Sequence, residues 1–163
     1  MGFIFCCSWP YNKITILGLI GIVVISLIIG KLICYYCHQK KNEMKLEYFK
    51  ISEFDSPDAK GSGINMDQNF LEMLDCARSY ARIPFKINSG YRTASHNKKV
   101  GGTENSSHLV GLAADIHCTD SKSRALIIGS LLESGFMRLG VAETFIHVDN
   151  DVENKVFPVI WVY

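Results

Sequence analysis

The chain has 163 residues, enough for one domain of ordinary size plus an appendage. Its 17 Lys and Arg nearly cancel 16 Asp and Glu, which excludes the basic field of a nucleic-acid binder. Of six cysteines, only Cys76 and Cys118 lie in the body of the chain, which excludes a disulfide scaffold.

The first element is an apolar run. Residues 14 to 30 carry no charge and are rich in Ile, Leu, Val and Gly. That length is at the short end of what crosses a hydrocarbon core of about 30 Å. Snorkelling by Lys13 and Lys31, with Trp9, Tyr11, Tyr35 and Tyr36 as interfacial anchors, completes a span. A long, charge-poor leading segment and the lack of a nearby small-x-small site argue against a cleaved signal peptide. The expected organisation is a tail at 1–13, a transmembrane helix at 14–33, a basic linker at 34–45 and one domain at 46–163. Cys6, Cys7, Cys34 and Cys37 flank the span and are candidates for S-acylation. Lys31, Lys40, Lys41 and Lys45 follow the span and only Lys13 precedes it, which favours a cytoplasmic domain.

Turn composition from Ser52 to Asp58 and at Gly61-Ser62-Gly63 predicts a loop wrapping the domain. Phe70, Leu71, Leu74, Ala77 and Ala81 recur at helical spacing and predict a helix running to Ile83, capped by Asn65 or Asp67 and stopped by Pro84. Phe85 to Asn88 alternates as a strand, and a short helical turn follows from Ala94 to Lys99. Leu112 to His117 reads as a core strand. Asp120 or Ser121 caps a second long helix that reaches Glu133 and stops at Gly135. Strands are expected at Met137 to Val141, Phe145 to Asp149 and Val159 to Tyr163. Without a regular βαβ period the class is α+β, with a small, largely antiparallel sheet and flanking helices.

His108 and Asp115 are seven positions apart across small and apolar residues, and His147 lies in the alternation Phe145-Ile146-His147-Val148-Asp149. A lone histidine is by default a partly buried structural residue. A carboxylate inside an apolar strand is costly unless paired or bound to a metal. Two imidazoles and a carboxylate suit Zn2+ with one coordination position open. Hydrolysis at such a site also needs a base and a cation. Glu143 and Asp149 are the candidate bases. Arg92, on a loop after a strand, is either an oxyanion clamp or half of a salt bridge. Ser106 and Ser107 either bind substrate or make the turn. His117 shares a strand face with Asp115 and is a minor alternative ligand, whereas His38 and His96 lack a supporting pattern.

Ser89-Gly90-Tyr91-Arg92-Thr93, His96-Asn97, Val100-Gly101-Gly102, Ser106-Ser107-His108-Leu109-x-Gly111-x-Ala113-x-Asp115 and Phe145-Ile146-His147-Val148-Asp149 together resemble the M15 peptidases. These are zinc D-Ala-D-Ala carboxypeptidases and related endopeptidases of peptidoglycan. The resemblance covers roughly 46 to 163 and implies that His108, Asp115 and His147 bind zinc and that Arg92 helps stabilise the transition state. It also implies the α+β fold that these enzymes share with the hedgehog signalling domain. One feature departs: many members carry an acidic base three residues before the last histidine, where this chain has Thr144. The expectation is a monomeric, single-pass zinc peptidase acting on peptidoglycan stem peptides, with no nucleic-acid partner. The rival reading is a zinc-stabilised binding or membrane interaction module that has lost catalysis. A peptidoglycan substrate requires the domain on the cell-wall side, opposite to the lysine bias.

Overall fold

The computed structural model describes residues 46–163. The expected span at 14–33, the linker at 34–45 and the four cysteines beside the span lie outside the described residues. No helix among the described residues is long and apolar enough to cross a membrane.

Local chemistry sets the helices. The Asp67 carboxylate accepts from the Phe70 amide at 2.8 Å and starts α1, Gln68–Ala81. Its buried residues Phe70, Leu71, Leu74, Ala77 and Ala81 form one stripe. The helix ends two residues short of the expected Ile83. Arg82 takes a left-handed conformation (φ 54°) there and turns the chain before Pro84, which disfavours helical backbone at Ile83. A one-and-a-half-turn helix, α2, spans Ala94–Lys99 with Thr93 as its cap. The third, α3, spans Ser121–Glu133, and the Asp120 carboxylate accepts from the Ser123 amide at 2.9 Å. The segment read as a wrapping loop contains two 3-10 turns, Ile51–Phe54 and Ser62–Asn65. Asp55 holds them together by accepting from the amides of Gly61 at 2.8 Å and Gly63 at 2.7 Å.

Five strands form one sheet: β1 (Ile87–Ser89), β2 (Ala113–His117), β3 (Arg138–Val141), β4 (Phe145–Asp149) and β5 (Val159–Val162). Their order is β1-β2-β4-β3-β5. Three of the four pairings are antiparallel, as expected of a largely antiparallel sheet, and β5 joins β3 in parallel, which makes the sheet mixed. The cause is the connection 150–158, which leaves the end of β4 and passes β3 before turning back along its outer side. Arg138, at the start of β3, donates to the Val156 carbonyl and ties this connection down.

Alternation then sorts the side chains. One face carries Ile116, Ile146, Val148 and Leu139, all fully buried; α3 packs against β4 on this side, and α1 packs against α3. Phe70 of α1 meets Phe136 edge-on at 5.4 Å in this core, with Leu71, Leu74, Ile127 and Leu131. Leu126 and Leu132 of α3 are exposed, because only one stripe of that helix can face the sheet. Cys76 and Cys118 are both free thiols, so no bridge joins them. The opposite face of the sheet carries the polar residues.

Candidate metal centre

Register builds the site. Asp115 of β2 pairs with His147 of β4, and His147 pairs with Gly140 of β3, which pairs with Trp161 of β5. Paired residues share a face, so a carboxylate, an imidazole and an indole stand in one row across the sheet. His108 reaches that row from a 3-10 turn, Ser107–Val110, that precedes β2. Gly111 ends the turn with φ 73°, and a Cβ there would meet the Asn65 carbonyl oxygen at 2.2 Å. Only glycine fits both demands.

His108, Asp115 and His147 each offer a donor atom, and these atoms lie within 4.8 Å of one another. All three residues are buried, at 3%, 7% and 9% exposure. The Asp115 Oδ1 atom is 2.8 Å from His147 Nδ1 and 3.4 Å from His108 Nε2. His108 Nδ1 donates to the Gly90 carbonyl at 2.7 Å, which leaves Nε2 as the nitrogen turned toward Asp115. His147 Nε2 lies 3.2 Å from Asp149 Oδ2. Each imidazole therefore has one nitrogen held by an oxygen and one facing the shared centre, the arrangement that orients metal-binding histidines. The donor set, its burial and these outer contacts fit a zinc ion.

Electrostatics follow from the same contacts. Burial alone would raise the Asp115 carboxyl, but hydrogen bonds from His108 and His147 outweigh it and hold the group well below the usual carboxylate range. Burial alone would lower His147, yet Asp115 and Asp149 on either side raise it. Asp149 is held low, against its own burial, by His147 and Arg138. The Arg138 Nε atom donates to Asp149 Oδ1 at 2.7 Å.

A cavity of about 630 Å³ opens over this row. Arg92 lines it, donating from Nη2 to Asp115 Oδ2 at 2.5 Å and from Nε to Ser89 Oγ at 2.8 Å. The salt-bridge role and a place on the cavity wall are thus both present. Asp149 also lines the cavity, whereas Glu143 does not: it is exposed in the β3–β4 turn. Ser106 lines the cavity from the position before the 3-10 turn. Ser107 is 2% exposed and its hydroxyl is engaged by Asp151 and Lys155. His117 is exposed and stands outside the histidine–aspartate group, and His96 lines the cavity.

The wall also holds residues that the sequence pattern does not mark as site residues, among them Arg138, Lys155 and Trp161. Arg138 had a visible signal, a charge between Met137 and Leu139 at the start of an apolar strand. Lys155 had none, since an isolated lysine in a polar connection reads as solvated. The Trp161 ring lies 5.6 Å from His147 and 5.5 Å from the Arg138 guanidinium.

The family model described as Peptidase M15 matches residues 40–149. The chain belongs to the peptidase M15 family. No curated protein matches the chain. The match spans α1 to the end of β4, so it takes in Arg92, His108, Asp115 and His147, and it stops before Lys155 and Trp161.

Proposed function

We propose that this M15 family member is a membrane-anchored zinc peptidase that hydrolyses peptide bonds in peptidoglycan stem peptides, as a D-Ala-D-Ala carboxypeptidase or an endopeptidase. The observation that carries the reading is the buried His108–Asp115–His147 group on the wall of an open cavity. A zinc ion in that group supplies Lewis acidity, which polarises a carbonyl and lowers the pKa of water.

The protein's own residues supply the rest. Asp115 stays ionised because two imidazoles and a guanidinium face it. Arg92 uses two of its five N–H groups on Ser89 and Asp115, which holds it on the wall. Its remaining N–H groups meet the charge that develops on the attacked carbonyl oxygen. Between the two carboxylates considered as base, the cavity favours Asp149 over Glu143. Asp149 accepts a proton from the attacking water and returns it to the leaving amine.

Digestion of peptidoglycan fragments, followed by mass spectrometry, tests this reading. The wild-type chain releases a shortened stem peptide. Asp149→Asn, assayed at saturating zinc so that a weaker hold on His147 is set aside, slows release by roughly 10²–10⁴-fold. Full activity in Asp149→Asn sinks the base assignment. Protease protection in intact membranes tests whether residues 14–33 anchor the domain on the cell-wall side.

A second reading has its own support. Both Asp149 oxygens are already engaged, by His147 and Arg138, and Thr144 supplies no acid. In that reading the domain is a zinc-stabilised peptide-binding module, which binds metal and stem peptide and releases no product.

A further inference from the structure

The cavity wall carries three cations, Arg92, Arg138 and Lys155, and two carboxylates, Asp115 and Asp149. Arg92 faces Asp115 and Arg138 faces Asp149, so both arginines meet their counter-charge on the wall itself. Lys155 is different. Its partner Asp151 is 5% exposed and does not line the cavity. The ammonium donates to Ser107 Oγ at 2.6 Å, and Ser107 in turn donates to Asp151 Oδ2 at 3.1 Å. The direct distance from the ammonium to Asp151 is 3.7 Å, longer than a hydrogen bond. Asn154 donates to the other Asp151 oxygen at 2.8 Å and keeps the carboxylate turned inward.

An ammonium has three donors, and only one is spent here. The geometry points to a carboxylate-binding subsite at Lys155, held open by the Ser107–Asp151 pair behind it. Ser107 immediately precedes His108, so the subsite is joined to the candidate metal centre through one turn of backbone. The inference rests on the peptide-binding reading of the cavity and names which peptides it selects: those with a free carboxylate beside the bond presented to the centre. Lys155 lies on the 150–158 connection, outside the residues that match the family model, whereas Ser107 lies inside them. A compact point charge accepts a carboxylate from several directions, which suits a cavity open to peptides of different length.

Isothermal titration of the full chain with short D-Ala-D-Ala peptides tests the subsite without any need for turnover. One arm compares the C-terminal free acid with the C-terminal amide. The other compares a peptide carrying a side-chain Glu carboxylate with its Gln analogue. The free carboxylate is expected to bind about tenfold tighter than the amide in one arm, which identifies its source. That preference shrinks as ionic strength rises, a readout that needs no variant. In Lys155→Gln the acid falls to the affinity of the amide and the amide is unchanged; Lys155→Arg keeps the preference. Equal binding of acid and amide by the wild type in both arms overturns the subsite. So does an equal loss for acid and amide in Lys155→Gln. Zinc content is measured in parallel, so a failed metal centre and a failed subsite give different results.

Discussion

Asp115 and His147 are register partners on β2 and β4, and a 2.8 Å contact joins Asp115 Oδ1 to His147 Nδ1. The pair brings a carboxylate and an imidazole of the candidate metal centre together through strand register. It also makes the metal-free protein sensitive to pH. Both nitrogens of His147 face carboxylates, which favours the imidazolium and raises its pKa above the ordinary 6.5. A raised pKa means that His147 stabilises the fold fully below 6.5 and that this contribution is lost as pH rises through the folded value. Metal binding has the opposite sign, because the nitrogen facing the centre must lose its proton. In chelator, the difference in Tm between wild type and His147→Gln should therefore shrink from pH 6 to pH 8.5. Zinc affinity should rise over the same range. A difference in Tm that grows with pH contradicts the contacts.

Metal removal gives a second prediction. A ligand that binds only the folded state stabilises it by about 4 kcal/mol at a thousand times its Kd. Zinc should therefore raise Tm in the wild type and a chelator should reverse the rise. His108→Ala should abolish the shift; the same substitution also removes the imidazole's contacts with the Gly90 carbonyl and Asp115, so its own cost is read from the metal-free melts. Metal analysis together with thermal unfolding checks both points. An undiminished zinc shift in His108→Ala removes this residue from the centre.

What was legible in the chain was local. Asp67 and Asp120 were readable as caps because a cap bonds to an amide three residues away. The span Phe145 to Asp149 coincides with β4, because its alternation is strict and buried. The histidines and Asp115 stood out because an apolar context makes a polar residue conspicuous. The parallel docking of β5 was not legible, since it depends on the route of residues 150–158 past β3. Arg138 and Lys155 take their meaning from Asp149 and Asp151, partners that only the folded chain brings near. Glu143 and Asp149 both flank His147 in the chain, and both were candidate bases. The turn leaves it exposed, whereas the strand buries Asp149 two residues away on the same face.

Asp58 is expected to act on the site from outside it. Its two oxygens accept from the Ser56 and Thr93 hydroxyls, both at 2.6 Å, and the Ser56 hydroxyl accepts from the Thr93 amide at 3.2 Å. Thr93 follows Arg92 directly, so these bonds fix the loop that carries the guanidinium. The same two hydroxyls hold the Asp58 carboxyl below its ordinary range. In Asp58→Asn the amide nitrogen cannot accept, and one of the two hydroxyls is released. The expected result is about fivefold slower turnover with zinc content unchanged, because a misplaced cation costs rate before it costs binding. Steady-state kinetics on a stem peptide checks it, and unchanged kcat removes Asp58 from the positioning of Arg92.

Gly140 makes the strongest steric prediction. It lies between His147 and Trp161 in the row across the sheet, and the indole lies over it. A Cβ at this position would meet the indole at 2.7 Å and the Tyr163 ring at 2.8 Å. Both rings would have to move, and with them the surface beside His147, whose ring is 5.6 Å from Trp161. Overpacking of this kind costs about 1–3 kcal/mol, so Gly140→Val should lower stability by that amount. Its second effect is local. In a Trp9→Phe background Trp161 is the only tryptophan, and its emission on indole-selective excitation should respond to zinc in the parent and lose that response in Gly140→Val. Loss of stability with an intact zinc response would mean that the indole packs against β3 for structure alone and does not form part of the wall around His147.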